Sequence, residues 1–369
     1  MFNYSRHIKI MKKTILALTI PALFATSASA VTVYSDEGAQ VDIYGRVQFD
    51  GGEFGYQNDA NSKKVKSKDF GTDGSARLGA NVKYVLNNDV DLIGKLEWQV
   101  TAEGSDDAKT SDIDARYAWA GFRFMDTTDL TFGRSQDPLA QAIYLTDVFN
   151  KFGGAITYNS EIGLSDKADD QMMVAYAANG LDLRAAYAFG DKDKTDFANQ
   201  VTPTSGTTDV QENQWSASAG YTFPFGLGLV AAYEQKNGYA KTPLATSNNA
   251  DVDAWLAGAS YTIDGFYFAG LYIDRQRETA SGDDESKAYE LHAQYNVDAW
   301  TLMAQYSNEQ YDAAGAAAEF DSIDDITLGV QYDLNHKAKL YAEYVISDSE
   351  IADGTKKDDQ YGLGIQYNF

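Results

Sequence analysis

The last nine residues, YGLGIQYNF (361–369), put Tyr361, Leu363, Ile365, Tyr367 and Phe369 on one side of an extended chain. Gly362, Gly364, Gln366 and Asn368 fall on the other. Strand side chains alternate with period two, so this reads as a strand with one wholly apolar face and one small or polar face. The same alternation recurs at 41–49, 76–84, 92–100 and 338–346. A soluble sandwich would alternate in the same way, with its apolar face inward. Two features argue against that. The strands read as ~9–12 residues long, which suits a tilted membrane strand better than the mean globular strand of ~5–6. The connections also alternate strictly between short and long. Short turns are LNND (86–89), MDTTD (125–129), ANG (178–180), PFG (224–226), DG (264–265), VD (297–298) and LNHK (334–337). Long connections rich in Asp, Lys, Ser, Thr and Gly fall between them, including 51–73, 104–112, 137–166 and 192–211.

One short end and one long end is the pattern of an outer-membrane barrel. The intervening segments number sixteen, from 39–50 to 359–369, and the expected fold is all-β, a 16-stranded antiparallel transmembrane β-barrel. Lipid offers the backbone no hydrogen bonds, so a membrane sheet has no free edge. The first strand is therefore expected to pair with the last. A closed sheet of this size encloses a lumen too wide for side chains to fill.

The N-terminus reads as a targeting segment. Arg6, Lys9, Lys12 and Lys13 precede the apolar run TILALTIPALFA, and ASA (28–30) is a small-residue cleavage site. Residues 1–30 are thus an expected signal peptide, with Met1 or Met11 as the start and 31–369 as the barrel domain. The apolar run is shorter than the ~20 residues a spanning helix needs. The whole chain carries a net charge of −24. The expected leader holds basic and no acidic side chains, so the remainder is more acidic still. That argues against a nucleic-acid partner, since binding its phosphates needs a basic surface. There is no cysteine and there are three histidines, one of them in the leader. No His cluster for zinc or base catalysis remains. His292 and His336 belong to no Ser or Asp constellation at these spacings, so no enzyme and no cofactor is expected.

The mature start VTVYSDEGAQVDIYGR resembles that of the general diffusion porins of Gram-negative outer membranes, the OmpC/OmpF type and related vibrio porins. So do ARLGANVKY (76–84), ARYAWAGFRF (115–124), LTFGR (130–134), YLTDVFNKFGGA (144–155) and the terminal YGLGIQYNF. The match covers the mature chain in order. The resemblance implies a homotrimer of barrels in the outer membrane, embedded among lipids and lipopolysaccharide. It also implies that the assembly machinery reads Phe369, and that the third outer loop folds into the barrel as a constriction.

That loop is 137–166. Asp137-Pro138 reads as a helix start, Ala142, Leu145, Val148 and Phe149 recur at helical spacing, and Gly153-Gly154 is placed to end the turn. Arg46, Arg77 and Arg116 fall on the polar phase of their strands. The resemblance makes them a basic ladder facing the loop, with Lys167 as a looser fourth member, Glu97 as an acidic pore-lining position and Arg134 near the subunit interface. In the loop, where the family usually reads TD…PEFGGD, Asp147 keeps the first acid. Asn150 stands for the Pro, Lys151 for the Glu and Ala155 for the last Asp. Asp147 alone is then left to face the arginines. Charged rings set pore selectivity, so this eyelet is expected to be less cation-selective than a standard member. The expected function is passive diffusion of ions and small hydrophilic solutes. The alternative is a substrate-selective sugar or oligosaccharide porin, for which Tyr44, Tyr341 and Ile93 supply a sparse inward set. Adhesin or phage-receptor roles of the outer loops stay open, as does calcium or magnesium bridging to lipopolysaccharide.

Overall fold

The computed structural model describes residues 30–57, 64–101, 113–190, 208–242, 245–249, 251–279, 282–316 and 318–369. The expected leader, but for Ala30, lies outside the described residues, as do the outer connection at 104–112 and most of 192–211.

Sixteen antiparallel strands close into a barrel. They are β1 (Ala39–Glu53), β2 (Gly71–Val85), β3 (Val90–Thr101), β4 (Ile113–Phe124), β5 (Thr128–Gln136), β6 (Lys167–Ala178), β7 (Leu181–Phe189) and β8 (Thr208–Thr222). The second half comprises β9 (Leu227–Thr242), β10 (Val252–Ile263), β11 (Phe266–Thr279), β12 (Gly282–Val297), β13 (Trp300–Asp312), β14 (Phe320–Asp333), β15 (Ala338–Ser347) and β16 (Gln360–Asn368). Each pairs with its sequence neighbours, and β1 pairs with β16 from Arg46↔Asn368 to Glu53↔Tyr361. The ring is therefore closed, as the alternation required. The segment at 167–178, whose sequence pattern is weak before Gln171, is a full strand. Several strands exceed the expected length and reach 16 residues. Ladder pairing continues past the length that hydrocarbon demands, because neighbouring strand ends still satisfy each other's backbone groups.

The burial pattern is inverted relative to a soluble protein. Val47, Phe49, Leu78, Trp98, Leu183, Leu291, Leu302 and Leu363 are exposed, while Gln48, Asp50, Asn81, Glu97, Glu290, Gln305 and Glu343 are buried on the opposite face. A barrel solvated by lipid outside and water inside is the arrangement that this pattern satisfies. Tight hairpins follow the turn chemistry. Asn179 and Gly180, and Asp264 and Gly265, all have positive φ (52°, 86°, 45° and 86°), as a two-residue turn matching strand twist requires.

Two features were not anticipated. Val31–Asp36 forms a short strand on the β1 edge, paired with Ala39–Ile43. It continues downward along the edge that β16 occupies above. Phe369 pairs with Gly45 through both backbone groups (2.9 and 3.0 Å). Its ring covers Gly45, where a Cβ would collide with it.

Candidate functional site

The connection from β5 to β6 is not a free surface loop. Asp137 is fully buried. It accepts hydrogen bonds from Leu139 N (2.8 Å), Gln214 Nε2 (2.9 Å) and Ser216 Oγ (2.7 Å). Burial, and then Glu234 nearby, push its carboxyl up to about 7. The helix it was expected to start is one turn, α1 (Ala140–Ile143). Gly154 does not end that turn. With φ 64° it opens a second one, α2 (Ala155–Tyr158). Leu139, Ala142, Ile143, Leu145, Ile156 and Leu164 pack on Val230, Leu256, Leu271 and Ile273 of β9–β11. Those wall residues lie on the inner phase and would otherwise face water.

Two groups of buried charges hold the connection. Arg275 of β11 donates to the carbonyls of Ile162 and Ile156 (both 2.6 Å) and lies 3.6 Å from Glu309. Glu309 of β13 accepts from Ser160, Ser286 and Ser322. Glu290 accepts from the amide of Ile156 (3.3 Å). At the tip, Glu343 of β15 accepts from three consecutive amides: Asn150 (2.6 Å), Lys151 (2.9 Å) and Phe152 (3.0 Å). None of Arg275, Glu290, Glu309 or Glu343 stood out in the sequence. The available signal was charge on the inner phase of long strands, and many residues share it.

The expected basic positions come together. Arg46 and Arg77 sit directly opposite in the β1–β2 ladder, a like-charge pair that is destabilising on its own. Arg77 donates to Gln99 (2.7 Å). Arg116 lies in a β-bulge opposite Glu97 and pairs with it at 2.7 Å. Tyr44 donates to the other oxygen of Glu97 (2.8 Å). Lys167, at the start of β6, pairs with Asp166 and lies over the Tyr117 ring at 5.6 Å. Lys95, which the sequence reading passed over, lies over Tyr117 (4.3 Å) and Tyr44 (5.5 Å).

The acidic side differs from expectation. Asp147 is not alone. Asp166 belongs to the same cluster and accepts from Tyr144 (2.5 Å), while Tyr158 donates to Asp147 (3.3 Å). Burial alone would raise Asp166, but Lys167 and the hydrogen bonds from Lys167 and Tyr144 hold it low. Asp147 also feels Lys167 and Arg116, but less than it feels burial and the Asp166 charge. Burial first, then the Asp166 charge, raise it to about 6. Lys151 is paired: its ammonium is 2.8 Å from Asp73, 4.0 Å from Asp50 and 3.9 Å from the centre of the Phe54 ring. Those acids lie on the inner phase of β1 and β2, above the arginines.

Other expected positions occupy separate places. Tyr341 donates to Asp50. Ile93 packs with Tyr117 and Trp119. Arg134 pairs with Asp169 (2.8 Å), both partly exposed. His292 bonds Gln305 (3.2 Å) beside Phe149, and His336 lies in the β14–β15 turn.

Comparison with known proteins agrees with this architecture. Outer membrane protein F of Serratia marcescens is 26% identical, across 98% of this chain and 100% of its own length. The structure of OmpF from Salmonella typhi in complex with daunomycin superposes with a TM-score of 0.73 at 18% identity, covering 92% of this chain and 100% of that one. The trimer form of OmpT from Vibrio cholerae gives 0.66 at 20% identity, covering 90% and 100%. The Gram-negative porin family profile matches residues 17–352, and with a closed sixteen-stranded barrel of inverted polarity the chain belongs to that family.

Proposed function

We propose that this porin is an outer-membrane channel for passive diffusion of ions and small hydrophilic solutes, and that residues 137–166 form its constriction. The observation that carries the reading is that this one connection bonds to the inner phase of strands from β8 to β15 and reaches Asp73 on β2. Arg46, Arg77, Arg116 and Lys167 form the basic wall of the eyelet. Asp147, with Asp166 and Glu97, supplies its acids. Residues 1–30 are a leader removed on export. The barrel assembles as a homotrimer among lipids and lipopolysaccharide, with Phe369 read by the assembly machinery. Liposome swelling with graded sugars tests the class of channel. A smooth fall of rate with solute size is expected, and saturation by one sugar would instead establish a selective porin. The hydroxyls of Tyr44 and Tyr341 are held by the carboxylates of Glu97 and Asp50.

Lys151 acts as the neutralising partner of Asp50 and Asp73. Lys151→Glu exchanges a cation for a third carboxylate beside those two. The reversal potential in a KCl gradient across a planar bilayer is expected to move toward cation preference. An unmoved potential would mean that Lys151 lies off the ion path.

Selectivity is also expected to depend on pH. Burial and the Asp166 charge push the Asp147 carboxyl up to about 6, so its negative charge is expected above that pH and lost below it. Lowering the pH from about 7 to about 5 therefore removes an acid from the eyelet and shifts the reversal potential toward anions. Asp147→Asn is expected to sit at the acidic value throughout and to flatten the step. A step of full size in that variant rules Asp147 out as its source.

A further inference from the structure

Three side chains of the 137–166 connection rest over glycines of the wall, one each on β10, β14 and β16. A methyl group placed on Gly258 would lie 2.6 Å from Cδ1 of Leu145. One placed on Gly329 would lie 2.7 Å from Cε1 of Phe149 and 2.9 Å from Cε of Met303. One on Gly362 would lie 3.4 Å from the Phe152 ring and 3.5 Å from Cγ of Lys151. Separations below 3.0 Å force something to move. Phe149 has little room to do so, because its ring packs edge-on against His292 with centroids 5.7 Å apart. Glycine in a strand interior costs roughly 0.5–1 kcal/mol relative to alanine. Its usual meaning there is close approach by another group. None of the three has a positive φ, so no turn or strain accounts for them. The wall uses the same device for its own aromatics. Tyr44 lies over Gly79 and Tyr341 over Gly364, both too close for a Cβ.

We propose that Gly258 and Gly329 are sockets that fix how deep the connection seats against the wall, and so set the bore of the channel; Gly362 only touches it at ordinary contact distance. Hydrogen bonds to Glu343 and Arg275 fix where the backbone runs along the wall; the sockets fix its distance from it. They are positioning residues, and they act through Leu145 and Phe149. The proposal rests on the constriction reading. Filling a socket lifts the connection off β10–β14 toward the arginine wall and narrows the path.

The test is single-channel conductance of Gly258→Ala, Gly329→Ala and both together, with Gly270→Ala as control. A methyl on Gly270 meets nothing nearer than 3.4 Å. Gly329→Ala is expected to lose conductance clearly, because the Phe149 ring has little room to give, and Gly258→Ala is expected to lose less, because Cδ1 of Leu145 is the end of a flexible side chain. The control keeps wild-type conductance. Trimming the loop side is expected to restore it, in Gly329→Ala/Phe149→Leu and Gly258→Ala/Leu145→Ala. Heat-modifiable migration on SDS gels verifies the barrel in each variant. If Gly329→Ala does not assemble, Phe149→Leu alone empties the socket from the other side, and open-channel noise is expected to rise. Wild-type conductance in assembled Gly258→Ala and Gly329→Ala overturns the proposal, and so does absence of rescue or, in the fallback, wild-type noise. A separate arm tests the underlying reading. The chain has no cysteine, so Asp147→Cys takes a bulky thiol reagent at one place. Unchanged current after labelling removes the constriction reading and the sockets with it. Block by the label with indifferent glycine variants removes the sockets alone.

Discussion

Glu343→Gln is expected to release the tip of the inner connection. The carboxylate receives three successive backbone amides, at 2.6, 2.9 and 3.0 Å, and also the side-chain amide of Asn150 (3.2 Å). Hydrogen bonds to a charged acceptor are stronger than neutral ones, and stranding a buried donor costs about 1–3 kcal/mol. Glutamine keeps one carbonyl oxygen but turns an NH2 group toward donors it cannot serve. Docking of the tip should weaken by about 2–4 kcal/mol. Lys151 and Phe152 would leave their seats against Gly362 more often. Swelling rates for larger sugars should rise and open-channel noise should increase. The barrel itself rests on strand ladders that Glu343 does not interrupt, so its unfolding temperature should change little. Wild-type noise and sugar discrimination in Glu343→Gln would mean that the tip is held by its side chains and not by this carboxylate.

Arg275→Met is expected to be the most destabilising single change in the wall. Arg275 is among the most deeply buried side chains of the barrel. It neutralises Glu309 at 3.6 Å and supplies donors to two carbonyls of the connection. Methionine matches much of its length but leaves Glu309 as a buried charge served only by serines. Removing one partner of a buried pair costs about 3–5 kcal/mol. Adding Glu309→Gln removes the stranded charge and should recover part of the loss. The coupling is read from a double-mutant cycle on urea or thermal unfolding in detergent. Strict additivity of the two changes would show that Arg275 serves the carbonyls of Ile156 and Ile162 and not Glu309.

The barrel was legible because membrane β-structure obeys one local rule, alternation, repeated between turns that also have local chemistry. Asn179-Gly180 and Asp264-Gly265 announce their hairpins without reference to the rest of the chain. Arg46 and Arg77 were legible for the same reason, since phase alone assigns their face; Arg116 shares the phase of Ala118, Ala120 and Phe122, which point outward, and reaches Glu97 only through the bulge that phase does not announce. The contacts of the inner connection were not legible. Whether Lys151 lies against arginines or against Asp50 and Asp73 depends on how far a thirty-residue excursion travels around the wall. Nothing local to VFNKFGG encodes that distance. Glu343 is likewise one inner-phase acid among several until the three amides arrive beside it. One clue was present and went unused. Val230, Leu256, Leu271 and Ile273 break the polar phase of adjacent strands, and an apolar patch facing water requires a cover. The extra length of β9 and β12 also escaped a reading keyed to bilayer thickness, because pairing does not stop where lipid does.

The lower edge of β1 is taken by Val31–Asp36 and the upper edge by β16, and the two meet where Phe369 pairs with Gly45. This gives the barrel an order in time. β1 is made almost first, yet its upper edge has no partner until the final residues have been synthesised. Among the sixteen strands every other neighbouring pair forms from adjacent sequence, so only this seam must wait for β16. An unfilled seam cannot be tolerated in hydrocarbon. Without Phe369, Gly45 would lose its partner at the foot of the seam, below the rungs that run from Arg46↔Asn368 to Glu53↔Tyr361. The seam thus makes closure of the ring depend on the strand most distant in sequence from β1.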